Sequence, residues 1–211
     1  MEDSKVRIYY KKLSGDCSDE QSLALYGDLV TERKEKIDKL KNRSLAKKQI
    51  LISHFLQEVL SKEADVPISR ICFQYGSQGK PELLTDTPRP IFFNMSHSGD
   101  YVVIAVGNQP VGIDIEHKTR NYEGIAKRCF CRMEYEWIME APPEERPHRF
   151  LEVWTMKEAY IKWTGEGMRI PFDSFCVCDG SLPVQIVPGE KTDIPGDYVV
   201  SLCGHFSSLY I

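Results

Sequence analysis

The centre of the chain reads Val102-Val103-Ile104-Ala105-Val106-Gly107-Asn108-Gln109-Pro110-Val111-Gly112-Ile113-Asp114-Ile115-Glu116. Two β-rich runs flank a short Asn-Gln-Pro link, so the pattern predicts strands over 102–106 and 111–115, paired as a hairpin. In the second run apolar and acidic residues alternate. Residues two apart share a strand face, so Asp114 and Glu116 stand side by side.

Working outward, the N-terminal half offers a strand over 6–10 and a helix opened by a Ser18/Gln21 capping box. Thr31 is placed to cap a basic segment. Ser44 precedes a long helical pattern through Ile50, Leu51, Phe55, Val59 and Leu60 that stops before Pro67. Strands over 71–75 and 91–95 follow, with Gly79-Lys80-Pro81, Pro88 and Pro90 as loop material. Beyond the central run come helices over 122–128, 132–140 and 147–163, the last stopped by Gly165. Strands over 175–178, 184–187 and 198–203 close the chain. Each half reads strand, helices, strands. An α+β fold of two similar lobes is therefore expected, 1–107 and 108–211; one α/β layer with antiparallel pairs remains open.

With 211 residues the chain suits one large domain or two small lobes, against a prior of roughly 100–200 residues per domain. The formal net charge of −4 argues against a nucleic-acid partner, which calls for a basic surface. That total hides a local excess. Between Thr31 and Lys48 eight basic residues stand against three acidic ones, leaving +5. This is either a solvated helix face with Glu32/Lys36 and Glu35/Lys39 pairs or a landing site for a polyanion. The seven cysteines include no CxxC pair. Cys129-x-Cys131 and Cys176-x-Cys178 are too tight for a zinc ribbon, and reduced, mostly buried thiols are expected. Met1-Glu2-Asp3-Ser4-Lys5 has no apolar run, and no stretch approaches the ~20 apolar residues of a membrane span. A cytoplasmic protein without a membrane partner is expected.

Four short segments carry chemistry. Asp114 and Glu116 suit Mg²⁺, a hard cation that takes carboxylate, water and phosphate oxygens, or else form an acidic solvent face. Within Trp154-Thr155-Met156-Lys157-Glu158-Ala159-Tyr160-Ile161-Lys162, Glu158 and Lys162 share a helix face. They read as a surface ion pair or as a carboxylate and cation for catalysis, with Trp154 placed one turn away to screen them. Asn94-Met95-Ser96-His97-Ser98-Gly99-Asp100 puts hydroxyls and a histidine where a strand ends in a turn, for phosphate binding or for structure. Lys80 sits in a tight loop. Together these suit metal-assisted handling of a phosphate-rich substrate.

The chain resembles the Sfp-type 4′-phosphopantetheinyl transferases. Gly112-Ile113-Asp114-Ile115-Glu116 is similar to the family's G-[IV]-D-x-E signature, and Trp154–Lys162 to its W-[SCT]-x-K-E-[AS]-x-x-K. Gly79-Lys80-Pro81, residues 93–99, residues 126–130 and residues 171–175 add supporting matches; the tail from about Gly180 matches poorly. The resemblance implies two α+β lobes related by a pseudo-twofold axis, with coenzyme A in the cleft between them, and a monomer. It implies that Asp114, Glu116 and Glu158 hold Mg²⁺ (or Mn²⁺) against the pyrophosphate. Glu158 is then the base for the serine hydroxyl of an apo acyl or peptidyl carrier protein, and Lys162 serves the leaving 3′,5′-ADP. Arg33, Lys36, Lys48, Lys80, Pro81, Ser96, His97, Lys157 and Lys162 are the implied coenzyme A contacts. Arg33 stands where the family often has lysine and Lys48 where it often has arginine, while Gln49 stands near a position often filled by a small hydroxyl. A coenzyme-A-binding module without catalysis and a nucleotide phosphohydrolase are the alternatives to transfer.

Overall fold

The computed structural model describes residues 4–13, 18–76, 78–117, 122–188 and 194–211. The first three residues and Cys17, the seventh cysteine, fall outside them. Strand β1 (Lys5–Lys12) leads to α1 (Asp19–Gly27), α2 (Thr31–Asp38) and α3 (Arg43–Ala64). A small antiparallel pair, β2 (Phe73–Tyr75) and β3 (Pro81–Leu83), precedes β4 (Phe92–Ser98), β5 (Tyr101–Gly107) and β6 (Val111–His117). Helices α4 (Tyr122–Cys129), α5 (Arg132–Met139) and α6 (Arg146–Thr164) follow, then β7 (Gln185–Pro188), β8 (Tyr198–Gly204) and β9 (Ser208–Tyr210). The fold is mixed α+β with several sheets, in the order β4-β5-β1-β9, β2-β3 and β6-β8-β7.

The central run departs from the expected hairpin. Both edges of β5 are occupied, by β4 on one side and β1 on the other, so β6 has no partner left there. It starts a separate sheet with β8 instead. The hairpin turn is at Gly99-Asp100, where Gly99 adopts φ +50 and Ser98 faces Tyr101. A β-carbon on Gly99 would sit 2.4 Å from the Tyr198 hydroxyl, which accepts a hydrogen bond from the Asp100 amide at 3.0 Å.

Double-sided burial explains why β5 is apolar throughout. Val102, Ile104 and Val106 pack with Ile52, Leu56, Val59 and Leu60 of α3. Val103 and Ala105 join Val6 and Ile8 against Ile113, Ile115, Val200 and Leu202 of the other sheet. A third cluster holds α4, α5 and α6 around Phe130, Phe150 and Ile138.

Several local expectations shift. The Ser18/Gln21 capping box forms, but Thr31 is already helical; Asn42 caps α3 by accepting from the Leu45 amide, and Ser44 lies inside that helix. Ser96 and His97 lie within β4, not in the turn after it. No strand forms over 175–178, because the Phe175 carbonyl and Val177 amide bond side chains. The tail contributes β9, which pairs in parallel with β1. All six described cysteines are free, and only Cys203 is buried.

Candidate active site

The two larger sheets meet along β4 and β6, through side chains. The Ile113 amide donates to Asn94 Oδ1 at 3.1 Å, Ser96 Oγ to Asp114 Oδ1 at 2.7 Å, and Ser98 Oγ to Glu116 Oε2 at 2.9 Å. The near-constant offset, 19 residues for the first bond and 18 for the other two, means that the two strands run parallel here. Alternation on β6 sends Ile113 and Ile115 into the core and Asp114 and Glu116 toward α6.

Helix α6 can approach because residue 112 is glycine. Its missing β-carbon would lie 2.0 Å from the Ala159 carbonyl oxygen and 2.5 Å from the Trp163 amide nitrogen. That contact sets Glu158 and Lys162 over Asp114. Lys162 does not pair along its own helix as the i,i+4 spacing suggests. Its ammonium donates to Asp114 Oδ1 at 2.6 Å and to Ser96 Oγ at 3.0 Å.

Asp114 is only 3% exposed, and its Oδ2 is buried without a hydrogen-bond partner. Burial pushes its carboxyl above the ordinary range, although Lys162 and Ser96 oppose this. Glu116 is raised by burial and by the Asp114 charge; Glu158 is raised by burial and by both carboxylates, with Lys162 opposing. The N–H groups of Ile115 and His117 favour the ionised forms of Asp114 and Glu116. Lys162 pairs directly with Asp114, while Glu116 and Glu158 feel its charge from further off. The orphaned buried oxygen of Asp114 is a hard donor that fits a small divalent cation, although the ligand oxygens of Asp114, Glu116 and Glu158 do not all lie within 4.8 Å of one another.

The sequence-expected anion ligands divide into groups. Lys48 donates to the Gly99 carbonyl at 2.6 Å, and Gln49 Nε2 lies 3.5 Å from His97 Nε2. Burial, Lys48 and Lys162 all lower the His97 pKa. The Lys80 ammonium, lowered by burial, donates to the Lys162 carbonyl. A cavity of ≈ 270 Å³ is lined by Lys80, Pro81, Met95, Glu158, Lys162 and Gly165. Across Lys80 a larger one of ≈ 600 Å³ opens between the β2–β3 pair, Phe92 and Trp163. Arg33 and Lys36 stand on the β2 side. Arg33 lies 5.3 Å above the Phe73 ring and Lys36 3.8 Å above Tyr75. Two Arg33 guanidinium nitrogens are buried without partners.

Lys157 does not join this group. One residue from Glu158 is about 100° around the helix, and its ammonium is 0% exposed. It donates to the Phe172 and Phe175 carbonyls, both at 2.6 Å, and pairs with Glu134 at 2.9 Å. A lysine so fully engaged has no donor for coenzyme A. Trp154 likewise screens nothing; it packs on Phe150 and Phe172. Sequence reasoning singled out the 94–100 segment without assigning Asn94 or Ser98 a partner, and it missed Glu134. Only Glu134 left a local sign, the three-residue spacing by which it accepts from the Cys131 amide.

Over 184 residues the chain is 32% identical to 4′-phosphopantetheinyl transferase Sfp of Bacillus subtilis (strain 168), covering 86% of this chain and 81% of that protein. It belongs to the 4′-phosphopantetheinyl transferase superfamily. The pattern of that superfamily matches residues 110–203, and that of the 4′-phosphopantetheinyl transferase N-terminal region matches residues 16–109. The transferase gsp of Aneurinibacillus migulanus is 35% identical over 169 residues, 76% of this chain and 68% of that one. Another 4′-phosphopantetheinyl transferase from Bacillus subtilis is 30% identical over 209 residues, 94% and 92% of the two chains. The protein is therefore a transferase that moves the 4′-phosphopantetheinyl group of coenzyme A onto carrier proteins. No helix among the described residues of this phosphopantetheinyl transferase is long and apolar enough to cross a membrane.

Proposed function

We propose that Asp114, Glu116 and Glu158 hold a Mg²⁺ ion (or Mn²⁺) and that transfer proceeds beside them. The carrying observation is the buried Asp114 Oδ2 without a partner; burial, with the Asp114 charge, raises the Glu116 and Glu158 carboxyls. The ion supplies charge neutralisation at the phosphates of coenzyme A.

The protein's own groups divide the remaining work. Glu158, raised by burial and its acidic neighbours, accepts the proton of the attacking serine of the apo carrier. That oxygen bonds to the β-phosphorus while the bond to the α-phosphate oxygen breaks, releasing 3′,5′-ADP. Lys162, fixed by Asp114 and Ser96, neutralises the charge that builds on the departing oxygen. Ser96, His97, Lys48 and Lys80 line the phosphate end. Arg33 and Lys36 hold an outlying phosphate on the β2 side, and Pro81 borders the nucleotide. The two cavities that meet at Lys80 provide length for an extended ligand.

In this reading two lobes, 1–107 and 108–211, related by a pseudo-twofold axis, close on coenzyme A. β9 is the exception that crosses back to the first. The enzyme acts as a cytoplasmic monomer on acyl or peptidyl carrier proteins. The test is intact mass of apo carriers incubated with coenzyme A, with and without Mg²⁺. A metal-dependent gain of about 340 Da is expected, a phosphopantetheine joined to serine. Equal gain after exhaustive chelation overturns the metal assignment.

A further inference from the structure

Away from the carboxylates, the fold gathers a second set of ligand-type side chains. Cys131 Sγ, a Glu134 carboxylate oxygen and Cys176 Sγ lie within 4.8 Å of one another. Cys131 precedes the first turn of α5, and Glu134 occupies that turn. Cys176 arrives from the segment after α6, 45 residues further on. We propose that Cys131, Glu134 and Cys176 form a thiolate-containing site for a borderline-soft divalent cation, best suited to Zn²⁺, with water in the fourth position.

The geometry needs little change. Tetrahedral zinc with Zn–S of about 2.3 Å places ligand atoms about 3.8 Å apart, a small contraction from the observed cluster. The supports are already built. The Val177 amide donates to Glu134 Oε1 at 2.8 Å, while the Cys131 amide and Lys157 occupy Oε2 at 3.0 and 2.9 Å. A carboxylate offers about four acceptor positions, so one remains for a metal. The Cys178 amide donates to the Cys176 sulfur, as outer partners do around metal-bound sulfur.

Charge points the same way. Two thiolates, one carboxylate, the Lys157 ammonium and a divalent ion sum to zero, which suits an interior where Glu134 and Lys157 are both 0% exposed. A coordinating metal displaces thiol protons directly. Binding thus forms two metal–sulfur bonds and releases two protons. It ties α5 to residues 172–178, the segment whose carbonyls hold Lys157 beside Glu158.

The experiment uses the full reduced chain, stripped of metal and kept in excess Mg²⁺ so that hard oxygen sites are filled. Titration with Co²⁺ is expected to give one equivalent with a thiolate-to-cobalt charge-transfer band that Zn²⁺ abolishes. Cys131→Ser and Cys176→Ser each weaken binding more than tenfold; serine also serves as a helix cap, so α5 survives. Cys72→Ser, an exposed site elsewhere, leaves binding unchanged. On the unaltered protein, Zn²⁺ should protect Cys131 and Cys176, but not Cys72, from alkylation mapped by mass spectrometry. No band, a band that survives both substitutions, or a Cys131–Cys176 disulfide without metal uptake after reduction overturns the proposal.

Discussion

Gly112 faces the Ala159 carbonyl so closely that a β-carbon would stand 2.0 Å from the oxygen. Helix and strand backbones touch at this point, and the touch sets the height of Glu158 and Lys162 above Asp114. Gly112→Ala must push α6 off β6. A loss of about 3 kcal/mol of stability is expected from such overpacking, together with at least a tenfold fall in transfer by the folded fraction. Denaturant melts and a carrier-loading assay check both; wild-type turnover with lowered stability would uncouple the contact from catalysis.

Lys162 donates to Asp114 and also serves the leaving group in the proposed mechanism. Lys162→Met should lower kcat by roughly 10²–10³, the scale for removing one donor at developing charge. It should not weaken Mg²⁺ binding, because a cation next to the ion has been removed. Calorimetric titration with Mg²⁺ beside steady-state kinetics separates the two. A variant that fails chiefly through lost metal affinity contradicts the leaving-group role.

The carboxylates predict an unusual pH dependence. Those of Asp114, Glu116 and Glu158 are all raised in the metal-free protein. Their folded forms bind protons more tightly than the unfolded chain does. The stability they contribute is therefore full below about pH 4 and is lost as pH rises through the raised values. Glu158→Gln should abolish transfer yet melt higher than the parent in chelator, with the gap widening as pH rises above the ordinary carboxylate range. Mg²⁺ should close that gap by stabilising the parent. A constant gap across pH refutes the assignment.

His97 predicts a proton coupled to substrate binding. Burial and the Lys48 and Lys162 charges lower its pKa in the free protein, so at neutral pH it is uncharged. A phosphate placed against it reverses the balance and favours the imidazolium. Coenzyme A should bind with proton uptake and weaken as pH rises through the His97 range. His97→Ala should show a raised KM and lose this slope. Calorimetry in two buffers of different ionisation enthalpy measures the uptake directly.

What could be read from the residues was local. The 2.0 and 3.6 periods placed β6 and α6, and Gly165 ended the helix where its φ of +76 is tolerated. Pairing was harder. The β5–β6 link has hairpin length, but β5 was already bonded on both edges, a fact written in β1 and β4. Lys157 and Glu158 are neighbours in sequence with opposite fates, and only the segment at 172–175 reveals which one is buried. The cysteine spacings 129/131 and 176/178 gave no sign of convergence, because the convergence runs across α5 and α6 rather than along either segment.

The seam between β4 and β6 has one more consequence. Both are outermost strands of their sheets, the kind of exposed ladder that recruits strands from other molecules. Here the Ile113 amide is taken by Asn94, and Asp114 and Glu116 lie along the same margin, tied to Ser96 and Ser98. The side chains placed for chemistry also guard the molecule against sticking to its own copies. Inactive forms made with Asn or Gln retain that guard, whereas alanine at 114 and 116 leaves two margins bare and invites aggregation.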